Sequence, residues 1–185
     1  MSLRLPAARF APPHLNARAS SAGRGRAADC LPVERRSRVG QTSKASVLFL
    51  CTKNSCRSQM AEGWCRQLKG DRFAVCSAGI EKSQVDPRAA RAMAEVGVDI
   101  SRQYSKQVSE LHGEFDYVVT VCDAAAEQCP IFPAKTRVIH AGFEDPPKLA
   151  RNARSEEEAL SHYRRIRDEI RGFVEGIEHS LGVAG

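Results

Sequence analysis

The chain has 185 residues and a formal net charge of +6, room for one domain with a real core plus a tail. The charge is localised: residues 1–43 hold eight Arg against Asp29 and Glu34, while the rest of the chain holds 20 basic and 20 acidic residues. A neutral folded part argues against nucleic-acid binding. No run of about 18 apolar residues exists to span a membrane, and seven cysteines without a Cys-x2-Cys pair suit neither a secreted disulfide scaffold nor a zinc site.

Residues 1–44 read as a disordered basic extension. Their Arg-rich, Ser-containing, acid-poor composition is that of an organellar transit peptide, and equally that of an inert extension or an upstream start. The protein is thus expected in the cytoplasm, or in a plastid or mitochondrion if the extension targets it. Residues 45–185 form the domain. Val47–Leu50 reads as a buried strand. Ser58–Lys69 reads as a helix, with Met60, Trp64 and Leu68 on one face and Gly70 as its stop. Phe73–Cys76 is a second strand. Pro87 opens a helix through Ala89, Ala90, Met93 and Val96, ending near Gly97. Tyr117–Val121 is a third strand and Thr136–Ile139 a fourth. Glu156–Leu181 is one long amphipathic helix carrying Leu160, Tyr163, Ile166, Ile170, Phe173, Ile177 and Leu181. Strands separated by helices predict an α/β fold with a parallel sheet covered on both faces.

The segment between the first strand and the first helix carries the chemistry. It reads Cys51-Thr-Lys-Asn-Ser-Cys-Arg57-Ser58, a Cys-x5-Arg-Ser loop. Thr52, Lys53, Asn54, Ser55 and Cys56 would wrap backbone N–H groups around a tetrahedral oxyanion, with Arg57 closing on its equatorial oxygens. The start of a helix and a neighbouring Arg are expected to depress the Cys51 thiol and make it a nucleophile. Ser58 can donate to the sulfur, and Asn54 tolerates the left-handed backbone of a tight loop. Strand C-termini are where open α/β sheets bind ligands. A displacement at such a centre needs an acid for the departing oxygen. Asp145, in Phe143-Glu-Asp-Pro-Pro147, is the first candidate and Glu144 the second. Cys65 and Cys76 read as packed thiols.

The run Val47-Leu-Phe-Leu-Cys-Thr-Lys-Asn-Ser-Cys-Arg-Ser-Gln-Met-Ala-Glu-Gly-Trp64 resembles the opening of the thioredoxin-coupled arsenate reductases. These share the low-molecular-weight protein tyrosine phosphatase fold. Further matches are Cys76-Ser-Ala-Gly-Ile80, Val98-Asp-Ile-Ser101, Asp116-Tyr-Val-Val-Thr-Val-Cys122, Cys129-Pro130, Gly142-Phe-Glu-Asp-Pro146 and Tyr163-Arg-Arg-Ile-Arg-Asp-Glu-Ile170. The resemblance covers about residues 46–181. It implies a three-layer, flavodoxin-like sandwich on a four-stranded parallel sheet, and a monomer that acts on arsenate with thioredoxin as external reductant and no bound cofactor. It implies a relay in which Cys51 attacks, and Cys122 then Cys129 accept the oxidation. Cys51, Arg57, Ser58 and Asp145 would equally serve a tyrosine phosphatase working through a Cys51 phosphoenzyme. Cys122 and Cys129 favour the reductase, as does Pro147-Lys148 where phosphatases of this fold carry aromatic residues.

The run between the two cysteines, Asp-Ala-Ala-Ala-Glu-Gln, favours helix. Seven helical residues rise about 10.5 Å, whereas a disulfide needs Cα atoms within roughly 7 Å. The segment is therefore expected to be helical when reduced and unwound when oxidised. Some members of the family also hold a potassium ion behind the loop. The matching positions are Asn54, Glu62, Ser77 and Lys106. Lys106 stands where a carboxylate is usual, which argues against a bound potassium and suggests that the lysine supplies the charge.

Overall fold

The computed structural model describes residues 44–183. The extension therefore lies, apart from Lys44, outside the described residues. Strand β1 (Ala45–Cys51) is the centre of the molecule. Val47 and Phe49 point to one face of the sheet, Leu48 and Leu50 to the other, and all four are fully buried. A strand buried on both faces needs helices on both sides, which is why it reads as an unbroken apolar run.

Helix α1 (Arg57–Lys69) follows the loop and buries Met60, Ala61, Trp64 and Cys65. Strand β2 (Phe73–Gly79) returns beside β1 in parallel register, with Cys51 opposite Gly79. Helix α2 (Pro87–Ala94) begins with Pro, and Asp86 caps it by accepting from the N–H groups of Arg88 and Ala89. Regular helix stops at Ala94, and the chain turns out at Gly97 with φ +79°. Strand β3 (Tyr117–Thr120) lies on the other side of β1, and β4 (Arg137–His140) lies outside β3. The order is β2-β1-β3-β4, all parallel. This is the expected α/β sandwich. β4 is an edge strand whose residues are mostly exposed, Val138 among them.

Two helices differ from expectation. The C-terminal helix is broken. Helix α5 (Glu156–Glu175), N-capped by Ser155, ends at Gly176, and α6 (Ile177–Leu181) starts again after it. Glycine costs a helix interior about 1 kcal/mol relative to alanine, and both segments keep burying apolar residues across the break. Helix α3 (Asp123–Glu127) is also shorter than its composition suggests. Pro130 disfavours helical backbone at Cys129, so only five of the residues between Cys122 and Cys129 are helical. A last short helix, α4 (Pro146–Leu149), starts after Asp145. Among the described residues no helix is long and apolar enough to cross a membrane.

Candidate functional site

The site forms where β1 gives way to α1. Asn54 takes φ +48°, the one non-glycine residue among those described with positive φ. Its short amide tolerates this geometry, which most side chains avoid. The turn brings the Asn54 N–H to within 3.0 Å of the Cys51 sulfur, to which it donates. Ser58 Oγ lies 2.9 Å from the same sulfur. The loop is stitched to the strand beside it: Ile80 N–H donates to the Cys51 carbonyl, Glu81 N–H to Thr52, and Asp86 N–H to Ser55.

Gly79 makes that stitching possible. A Cβ there would lie 2.8 Å from Asn54 N and Thr52 O and 2.5 Å from Glu81 O. Sequence reasoning passed over this residue. Its signal was its place in the matched run Cys76–Ile80, where it ends β2 opposite Cys51 in the fold.

Cys51 is nearly fully buried. Burial is the largest influence on its thiol and pushes it above the ordinary cysteine value. Ser58, the Asn54 N–H and Arg57 pull the other way, and Cys122 adds a smaller upward push. The expectation of a depressed thiol is thereby corrected: it counted the stabilising groups and omitted the cost of burial. Cys56, at the helix N-cap, is also buried and pushed well up.

The Arg57 guanidinium reaches the segment that follows β4. One guanidinium nitrogen donates to the Phe143 carbonyl at 2.8 Å and the other pairs with Asp145 Oδ1 at 3.0 Å. Arg57 thereby holds the loop of Asp145 against the loop of Cys51. Of the two acid candidates, Asp145 faces the site, whereas Glu144 pairs with Arg165 at 2.7 Å. Lys53 is exposed, and its carbonyl accepts from Ser105 Oγ.

A second thiol sits beside the loop. Cys122, just past β3 at the N-cap of α3, is buried, and its sulfur is 3.5 Å from Thr52 Oγ1. Cys129 lies past α3, is partly exposed, and is also pushed up by burial. Around this segment His140 bridges Thr120 Oγ1 at 2.9 Å and Asp123 Oδ1 at 3.2 Å. Cys65 is a packed thiol pushed up to about 12 by burial, and Cys76 is buried in β2.

Behind the loop is a buried polar network. Asn54 Nδ2 donates to Ser58 Oγ and Ser77 Oγ, and Asn54 Oδ1 accepts from the Lys106 N–H. Ser77 Oγ donates to Glu62 Oε2. Lys106 Nζ is 3.5 Å from that same oxygen, and Arg66 pairs with Glu62 Oε1 at 2.8 Å. Gln59 Nε2 donates to Asn54 and to the Tyr104 carbonyl, while Gln59 Oε1 is buried without a hydrogen-bond partner.

Residues 46–181 match the model of the low molecular weight phosphotyrosine protein phosphatase family. An arsenate reductase of Bacillus subtilis is 50% identical over 125 residues, 67% of this chain and 88% of the relative. One of Halalkalibacterium halodurans is 48% identical over 129 residues, 69% and 91% of the two chains. A solved arsenate reductase in the phosphate binding state superposes with a TM-score of 0.58 at 31% identity, covering 74% of this chain and 98% of that one.

Proposed function

The chain belongs to the low molecular weight phosphotyrosine protein phosphatase family, and from that premise we propose that it reduces arsenate to arsenite through a relay of Cys51, Cys122 and Cys129, with thioredoxin as the external reductant. The observation that carries this reading is Cys122. A phosphatase needs one thiol, one guanidinium and one acid. Here a second thiol is buried against Thr52 of the loop.

The steps follow from the groups in place. Arsenate enters the loop, where N–H groups and Arg57 neutralise it. The Cys51 thiolate attacks arsenic, a sulfur–arsenic bond forms, and an arsenic–oxygen bond breaks. Asp145 gives its proton to the departing oxygen, which leaves as water. The Cys122 thiolate then attacks the Cys51 sulfur. The sulfur–arsenic electron pair stays on arsenic, which becomes arsenic(III) and departs as arsenite, leaving a Cys51–Cys122 disulfide. The Cys129 thiolate attacks Cys122, a Cys122–Cys129 disulfide forms, and Cys51 is released as thiolate. A thioredoxin dithiol takes over that last disulfide. α3 spans only five residues between the two cysteines, so a turn or so of helix has to unwind for this bond to close.

A second reading, aryl-phosphate hydrolysis through a Cys51 phosphoenzyme, has the loop in its favour, since phosphate and arsenate share shape and charge. One assay separates the two. NADPH consumption with thioredoxin, thioredoxin reductase and arsenate is expected for the wild type and not for Cys51→Ser. No arsenate-dependent consumption alongside rapid aryl-phosphate hydrolysis would assign the chain to the phosphatases.

A further inference from the structure

Charged side chains are rarely buried without a partner. Lys106 and Glu62 are 3% and 2% exposed, and they meet beneath the anion loop. Their contacts run in an unbroken chain to the nucleophile. Lys106 Nζ faces Glu62 Oε2, Ser77 Oγ–H donates to that oxygen, Asn54 Nδ2 donates to Ser77 and Ser58, and Ser58 sits on the Cys51 sulfur. The lysine backbone joins the same chain, its N–H donating to Asn54 Oδ1. Its ammonium also donates to the Tyr104 carbonyl at 3.1 Å and lies 4.6 Å from the Tyr104 ring centroid. Asn54 is the residue in the left-handed turn, so whatever fixes its side chain fixes the loop.

A potassium ion, which the family's pattern allows at Asn54, Glu62, Ser77 and the position of Lys106, does not fit these residues. The oxygens it would need are already engaged: Glu62 Oε2 accepts from Ser77 and pairs with the Lys106 ammonium, Asn54 Oδ1 accepts from the Lys106 N–H and Gln59, Ser77 Oγ accepts from Asn54, and the nearby Tyr104 carbonyl accepts from both Lys106 and Gln59. A second cation in the same low-dielectric space would repel the first. Of this group only Gln59 Oε1 is left without a partner, and one neutral oxygen does not offset that repulsion.

We propose that the Lys106 ammonium is the built-in cation of the anion loop. It is a positioning residue that holds Glu62, Ser77 and Asn54 in place and makes the loop independent of monovalent metal ions. The inference rests on the anion-loop reading of the site, not on the redox chemistry.

The test therefore reads oxyanion binding and Cys51 ionisation, neither of which requires arsenate reduction. Inorganic phosphate affinity by thermal shift, and the thiolate ultraviolet absorbance across pH, are measured in potassium and in choline chloride at equal ionic strength. Wild-type protein should give the same values in both salts to within about twofold. Lys106→Met, which keeps bulk and removes charge, should weaken phosphate binding about tenfold and move the thiolate titration to higher pH. Lys106→Arg should return both toward wild type. Lys106→Asp sets two carboxylates side by side, and its phosphate affinity should recover about tenfold in potassium but not in choline. A wild type that binds phosphate more than about threefold better in potassium overturns the proposal without any substitution. So does a folded Lys106→Met with unchanged affinity and titration. Absence of arsenate reduction in wild type would refute the proposed activity and leave these readouts standing.

Discussion

The anion loop and the relay segment are built on opposite principles, though both sit at strand ends of one sheet. From Cys51 to Ser58 the loop is tied down by its left-handed Asn54, by three backbone hydrogen bonds to the neighbouring strand connection, and by a buried ion pair behind it. From Cys122 to His140 the chain has a five-residue helix, a partly exposed Cys129, a fully exposed Ile131 and an edge strand. The difference suits two kinds of work. Stabilising charge at one point calls for groups fixed before the substrate arrives. Passing a disulfide from a buried pair to a partner protein calls for a segment whose local unfolding is cheap.

The largest effect should come from the fixed region. Cys51→Ser removes the nucleophile and should lower both arsenate reduction and any phosphate ester hydrolysis by at least about 10⁴-fold. Parallel loss of both activities would tie them to one loop. If Asp145 is the acid for the leaving oxygen, Asp145→Asn should lower kcat about 10²–10³-fold with little change in KM; steady-state kinetics on arsenate would read this, and a loss confined to KM would restrict Asp145 to holding Arg57.

Ser58→Ala comes next. The Cys51 thiol already stands above its ordinary value because of burial, and Ser58 is the strongest influence pulling it down. Removing that donor raises the thiol further and shrinks the thiolate fraction at neutral pH. Activity there should fall about tenfold, and most of the loss should return as pH rises. A pH–rate profile checks the sign: a shift toward acid would contradict it.

The relay segment should show a smaller, structural effect. Oxidation to the Cys122–Cys129 disulfide should speed amide exchange at Ala124–Glu127 and leave that of the loop, Cys51–Ser58, nearly unchanged. Equal changes in both regions would erase the distinction between them. Gly79→Ala should cost about 1–3 kcal/mol in thermal stability, since its new methyl group meets backbone on the loop side.

What could be read from residue order tracks how local each feature is. β1, α1 and the Cys-x5-Arg-Ser loop follow from an apolar run, a helical stripe and a turn residue, all within about twenty positions. Asn54's left-handed backbone follows from the same local logic. The two helix errors, at Gly176 and before Pro130, arose where propensity and periodicity pointed one way and a single breaker the other. The features that escaped are long-range. Arg57 meets Asp145 from beyond the edge strand β4, far along the chain, Gly79 matters only because the loop lies against it, and the burial that raises Cys51 is a property of the whole core. Lys106 stood out in the sequence as a departure from a family pattern, but only the fold brings its ammonium to Glu62.

If oxidation passes through three thiols in order, its most direct test is a single-turnover experiment with Cys129→Ser, arsenate and no thioredoxin, followed by mass spectrometry of the quenched protein. The relay predicts one arsenite released per protein molecule and a trapped Cys51–Cys122 disulfide, with no further turnover when thioredoxin is added. Sustained cycling of this variant, or a product in which Cys51 is not disulfide-bonded, would contradict it.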